Sequence, residues 1–364
     1  MGGSIDVEAD GAVLDEVTNL VENPQVILGS FDEAYLRLPP EVLTVVMKKH
    51  QRYLPVRDAS GELLAHFVSV ANGPIDEDAV REGNEAVLRA RYADAAFFFD
   101  RDREQTLESF RPLLDKLVFE ARAGSMLQRA DRIEALAVRL GELLEVSDED
   151  AATIARAAHL AKADLSTSLV VELSSLAGQL GRVYALADGE SPAVADAIFE
   201  ASLPRFAGDQ LPKSLPGAVV ATADRADQLL SLFAVGAMPT GSNDPYGLRR
   251  SATGLTQILD RHGLALRLSE LFALAAEQIP GEVEPKVFDD LASFIGVRIE
   301  VRLSEEGHDV ELVRSLAPRF DVPAEVGPAL AELEELQKRP DFVEVVDAYR
   351  RVSRLAGDAE AAGV

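Results

Sequence analysis

The chain has 364 residues, 47% of them hydrophobic, with 36 Lys and Arg against 62 Asp and Glu, a formal net charge of −26 and no cysteine. Two or three domains are expected at that length, and the missing cysteines exclude disulfides and thiolate metal sites. No apolar run approaches 18 residues and no signal-peptide pattern is present, so a soluble, non-exported chain is expected; the acidic balance argues against broad affinity for nucleic acid but leaves room for a local basic patch.

Residues 13 to 75 read as mixed structure once the opening MGGS, which resembles an appended start, is set aside. A helix is predicted from about Leu14 to Val21, a short strand at Gln25 to Leu28, and a helix after Pro39-Pro40, where proline suits a first turn. Tyr53 to Val56 and Leu63 to Val70 flank ASGE as a hairpin. Beyond Asp76 nearly everything reads as helix.

The most informative segment is GNEAVLRARYADAAFFFDRDR, Gly83 to Arg103. Nothing from Glu85 to Phe99 breaks a helix. Phe97, Phe98 and Phe99 read as core, with base stacking as the alternative. Arg89 and Arg91 read either as a solvated face or as phosphate contacts. Other candidate basic patches are Lys48, Lys49, His50 and Arg52, and Arg249 with Arg250; each also reads as ordinary surface charge.

Further on, Val219, Ala223, Ala226, Leu230 and Phe233 give one apolar helical stripe. Asp244-Pro245 is predicted to open the next helix, as N-cap and first helical residue. Helices follow at about 267 to 278, 285 to 304, 309 to 316, 323 to 338 and 341 to 355, although GVRIEVRL, Gly296 to Leu303, alternates like a strand.

Four strings carry a family resemblance: the segment above, LPRFAGDQLPKSLPGAVVATADRADQLLSLFAVG from Leu203, PTGSNDPYGLRRSATGLTQIL from Pro239, and EVTNLVENPQVILGSFDEAYLRLPPEVLTVVMKKHQRYLPV from Glu16. HFVSVAN, His66 to Asn72, adds to them. In order and spacing the chain resembles the β subunit of the bacterial heterotetrameric glycyl-tRNA synthetase, from about Val13 to about Leu355. The resemblance implies a mainly α fold: a small truncated α/β module (5 to 75), a helical degenerate HD-like domain (76 to 262) and a helical linker (263 to 358). It implies a fragment lacking the N-terminal part and the C-terminal anticodon-binding domain.

It also implies a cytoplasmic protein that binds and positions glycine tRNA for the α subunit. That subunit uses ATP and Mg, while this chain needs no cofactor of its own, and neither DNA nor a membrane is a partner. On this reading Lys48, Lys49, Arg52, Arg89, Arg91, Arg249 and Arg250 are the expected tRNA contacts.

The HD likeness bears on catalysis. Histidine-aspartate phosphohydrolases hold metal with a first histidine, an adjacent His-Asp pair and a distant aspartate. ATADRADQLL, Ala221 to Leu230, resembles the last element with Asp224 at the ligand position. In AAHLAKADLST, Ala157 to Thr167, Ala163-Asp164 stands where His-Asp would be, and the helix Arg129 to Leu140 has no histidine. His159 lies five residues before Asp164, about 140° around a helix, and is no substitute. Asp164 and Asp224 alone are too few ligands for a metal with an open water position. No catalytic residue and no metal are expected. A metal-dependent HD-type phosphohydrolase, or a purely structural helical scaffold for the α subunit, is the alternative.

Overall fold

The computed structural model describes residues 3–7, 10–342, 344–349 and 351–352, without the side chain of His50. The fold is mainly α, with a small three-stranded sheet near the N-terminus and, among the described residues, a two-stranded one formed by Val118–Glu120 and Gly124–Ser125. Helices run α1 Gly11–Leu20, α2 Pro40–Val45, α3 Glu77–Asp102, α4 Leu107–Phe110, α5 Met126–Leu143, α6 Asp148–Leu160, α7 Ser168–Glu172 and α8 Gln179–Ala187. They continue with α9 Pro192–Glu200, α10 Leu215–Ala234, α11 Leu248–Arg261, α12 Leu268–Ala276, α13 Pro285–Glu305, α14 Val310–Ser315 and α15 Pro323–Gln337. The helix expected over 341 to 355 falls partly outside the described residues.

The chain divides into two compact units: Met1–Phe119, Ser125–Ala130 and His159–Phe199 form the first, and Glu120–Gly124, Asp131–Ala158 and Glu200–Val364 the second. The first holds an antiparallel sheet of β1 (Pro24–Ser30), β2 (Leu54–Arg57) and β3 (Leu63–Asn72), with β3 in the centre. The predicted hairpin is therefore present. Gly29 sits opposite Phe67, whose ring stacks on Tyr53 at 4.7 Å; a Cβ at Gly29 would fall 2.3 Å from that ring.

Helix α3 is capped by Asp76, whose carboxylate accepts from Ala79 N–H at 3.2 Å. Tyr92 anchors it. The ring lies 5.0 Å from Phe31 and 5.5 Å from Tyr35, and the hydroxyl donates to Leu43 O at 3.2 Å. The phenylalanine triplet does not fill the core as expected: Phe97 is 60% exposed, and Phe98 and Phe99 are half-buried. Three consecutive residues fan across about 200° of a helix, so one buried face cannot hold them all. Phe99 alone faces inward enough to stack on Tyr184, at 5.8 Å.

In the second unit, α10 is buried nearly all round, from Pro216 to Asp227 and Leu229 to Phe233. The single stripe read from the sequence understates it, because Ala, Gly and Thr between the large residues let neighbouring helices close on the other faces as well. GVRIEVRL lies inside α13, a helix despite its alternation, with Ile295, Ile299 and Leu303 buried four residues apart. Asp244-Pro245 does not open α11, which begins at Leu248 after Gly247 at φ 65°. Asp244 still accepts from the N–H groups of Leu248 (2.8 Å) and Arg249 (3.0 Å), so it serves the helix terminus from a loop one turn away.

Candidate functional site

Most of the sequence-predicted cations of the KKHQR string hold the fold. Lys48 lies in a π-helical turn, Val46–His50, and pairs with the buried Asp10 just before α1. Arg52, at φ 56°, donates to Glu16 on α1 at 2.6 Å. Two basic residues from the end of one helix thus fasten α1, while Lys49 between them is exposed and makes no ion pair among the described residues.

Arg89 and Arg91 are both exposed on α3 but do not form one patch, because two residues apart means about 200° around the axis. Arg91 borders a small cleft with Val46, Asp94 and Glu172. In the second unit, Arg249 donates to Gly241 O at 2.7 Å and closes the loop before α11. Arg250 is exposed and lies over Gly247, where a Cβ would come 2.6 Å from its guanidinium.

Asp164 and Asp224, the aspartates placed by the expected HD likeness, belong to different units. The expected helix through His159 and Asp164 ends at Leu160: Lys162 turns left-handed at φ 72°, and Asp164 sits in a 3-10 turn, Ala163–Ser166. His159 and Asp164 therefore do not share a helix, and the 140° offset expected along one does not relate them. His159 instead faces Glu108 at 3.3 Å. Asp164 is 2% exposed, and its carboxylate accepts from Gly178 N–H (2.6 Å) and Gly181 N–H (3.1 Å) at the start of α8. Burial pushes this carboxyl above its usual range against the pull of those two amides. Gly181 is required there, since a Cβ would meet the Asp164 oxygen at 3.2 Å and Ile198 at 2.9 Å. Asp224 is buried on α10 and engaged by a neighbour. Among the described residues no group of three or more His, Asp or Glu is placed to hold a metal.

Sequence reasoning missed the polar network that the second unit builds around α10. Arg132 donates to Asp227 at 2.5 and 3.2 Å and to Ser231 at 3.3 Å, all buried. Arg225 reaches the carbonyls of Ala201, Ser202, Pro204 and Ala221. Glu200 receives Lys213 N–H at 2.9 Å and the N–H and hydroxyl of Ser214, the N-cap of α10. A Cβ at Gly217 would fall 2.0 Å from the Glu200 carboxylate, and one at Gly254 3.0 Å from Arg225. The signal was present in the sequence: charged residues and glycines set inside an apolar helical pattern mark close approach and buried pairing.

A groove of about 620 Å³ opens in the second unit between Phe272, Phe288 and Phe320, apart from every predicted contact residue. No helix among the described residues is long and apolar enough to cross a membrane.

Most of the chain that builds these networks matches known proteins. A family model described as "Glycyl-tRNA synthetase beta subunit" matches residues 2–317. The chain belongs to this family. It is 44% identical to the "Glycine--tRNA ligase beta subunit" of Desulforamulus reducens, over 97% of this chain and 52% of that protein. With the protein of the same description from Halalkalibacterium halodurans the identity is 40%, again over 97% of this chain and 52% of the relative. The "Glycine--tRNA ligase, chloroplastic/mitochondrial 2" of Arabidopsis thaliana is 42% identical over 94% of this chain and 32% of its own length. The chain therefore spans about half the length of the bacterial relatives it matches.

Proposed function

We propose that this glycyl-tRNA synthetase β-family chain binds and positions glycine tRNA for an α subunit that attaches glycine at the expense of ATP, and has no active site of its own. The observation that carries the reading is the family match over residues 2–317, joined to relatives described as glycine–tRNA ligase β subunits. Its contribution to rate would be positional: holding the acceptor end near the reacting group replaces an unfavourable encounter by a bound geometry. Lys49, Arg89, Arg91 and Arg250 are exposed and make no ion pair among the described residues, so they take the phosphate-contact role most directly; Lys48, Arg249 and the exposed Arg52 contribute while still engaged with the fold. ATP and Mg belong to the α subunit on this reading, and the HD-like residues serve as scaffold, with the Asp164 carboxylate taken up by two backbone amides.

The test is fluorescence anisotropy of labelled glycine tRNA with the purified chain across a salt series, against a non-cognate tRNA. Preferential, salt-sensitive binding is expected. Binding of neither RNA, together with retained association with the α subunit, would instead support the scaffold reading, which the net charge of −26 and the engagement of Lys48, Arg52 and Arg249 by neighbouring residues of the fold favour.

A further inference from the structure

Phe97 is the least expected side chain of the first unit. It lies in a 26-residue helix that buries Leu88, Tyr92, Ala95 and Ala96, yet it is 60% exposed and its ring meets that of Phe98 edge-on, at 5.5 Å and 67°. On the same face, at spacings of three and four, stand Ala86, Ala90 and Ala93, all exposed, so no bulky neighbour shields the ring. Arg101 follows one turn later, and Arg89 stands on the flank of the strip about 12 Å before Phe97 along the axis. Neither arginine has a side-chain partner among the described residues. Of the carboxylates bordering the strip, Asp100 is held by Arg37 through two hydrogen bonds of 2.6 and 2.7 Å and Glu85 accepts from Ser30 at 2.8 and 2.9 Å, leaving Glu82, Asp94 and Glu104.

An exposed aromatic ring between two unpaired guanidinium groups is the pairing that single-stranded nucleic acid uses: the ring offers a face to a base of any sequence, and the arginines take the flanking phosphates. A membrane surface or an apolar protein partner would call for more large apolar residues than one phenylalanine among alanines. In a chain of net charge −26, arginines left without carboxylate partners beside such a ring mark where a polyanion can approach.

We propose that the Phe97 strip of α3 is a stacking site for an unpaired nucleotide of RNA, with Phe97 under the base and Arg101 and Arg89 on the adjoining phosphates. The inference rests on the RNA-binding reading above and adds the residue that reads the single-stranded portion. It explains why the ring stays in water at a position where the helix could carry a polar residue.

The experiment uses the full chain and glycine tRNA bearing 2-aminopurine in its single-stranded 3′ end. Stacking on Phe97 quenches the probe, and Phe97→Leu, which keeps an apolar contact but has no π face, should abolish the quenching and weaken binding by about 5- to 10-fold, while Phe97→Trp restores both. Because the side chain is exposed, the thermal midpoint should not move in either variant, which separates a lost contact from a lost fold. Equal quenching and affinity in Phe97→Leu and the unaltered chain would overturn the proposal while leaving RNA binding intact. Failure of the unaltered chain to bind this RNA would remove both readings. Dissociation of a second copy by Phe97→Leu in sedimentation, with RNA binding unchanged, would make the strip a protein interface and overturn the proposal as well.

Discussion

The outer face of α3 and the α10–α11 pair use the same residue types in opposite ways. On α3, Arg89, Arg91 and Arg101 are exposed, and Arg89 and Arg101 flank an exposed ring. Around α10 and α11, Arg132 of α5 and Arg225 turn inward to a carboxylate and to carbonyls, and Arg249 is taken up by a loop carbonyl. Both regions lie in strings that resemble the family, so likeness of sequence alone does not separate arginines that hold the fold from arginines that are available to a ligand. Burial and partners do.

Substitutions can break the inward half of that comparison most forcefully. Asp227→Ala leaves the Arg132 guanidinium buried without its carboxylate, and a loss of about 3–5 kcal/mol is expected in chemical denaturation. Gly217→Ala drives a methyl group into the Glu200 carboxylate and should cost about 1–3 kcal/mol, or more if the N-cap bonds of Ser214 are lost with it. Arg249→Ala frees the loop closed at Gly241 O and should lower stability by about 1 kcal/mol, whereas Arg250→Ala should stay within about 0.5 kcal/mol. A large stability loss from Arg250→Ala would erase the proposed distinction within this pair.

The outward half is sharpened by salt rather than by denaturant. Arg89→Ala and Arg91→Ala should leave the thermal midpoint unchanged and reduce the slope of log affinity for tRNA against log salt, by about one unit for each phosphate contact removed. Since the two side chains stand on opposite sides of α3, a single RNA contact would reveal itself by a change in slope for only one of them.

The smallest expected effect concerns acid stability in the second unit. Burial raises the Asp209 carboxyl, but the Arg205 side chain at 2.8 Å and the backbone N–H groups of Arg205 and Gln210 outweigh it and hold it below the usual range. A carboxyl lowered in the fold adds stability above its unfolded value and loses it as pH falls through the folded one. Asp209→Asn should therefore destabilise the chain at neutral pH and shrink the further loss on acidification, measured by thermal midpoints from pH 7 down to pH 3.

The hairpin and the helices beyond Asp76 were legible because turn residues and apolar spacing are local signals, and they placed β2, β3, α12, α13, α14 and α15 close to where they lie. The termini were less so. Asp244 looked like an N-cap next to its helix because capping chemistry is read from neighbours in sequence, while the structure lets the carboxylate reach across Gly247. Lys162 at positive φ broke a helix that no glycine or proline announced. Of the candidate site, the exposed cations on α3 could be guessed from composition, but the engagement of Lys48 by Asp10 and of Arg52 by Glu16 depends on contacts more than 30 residues apart, which no local pattern encodes.

The interleaving of the two units has a consequence for how the chain is made. The first unit contains Met1–Phe119 but also His159–Phe199, so it lacks a portion of its interior until about 80 further residues have been synthesised. At about 5–20 residues per second, that is a delay of about 4–16 s on the ribosome. During that interval the buried Asp102 carboxylate has no Ser168, Leu169 or Tyr184 to receive hydrogen bonds from, and the nascent sheet and α3 must wait for the later segment before this part of their core can close.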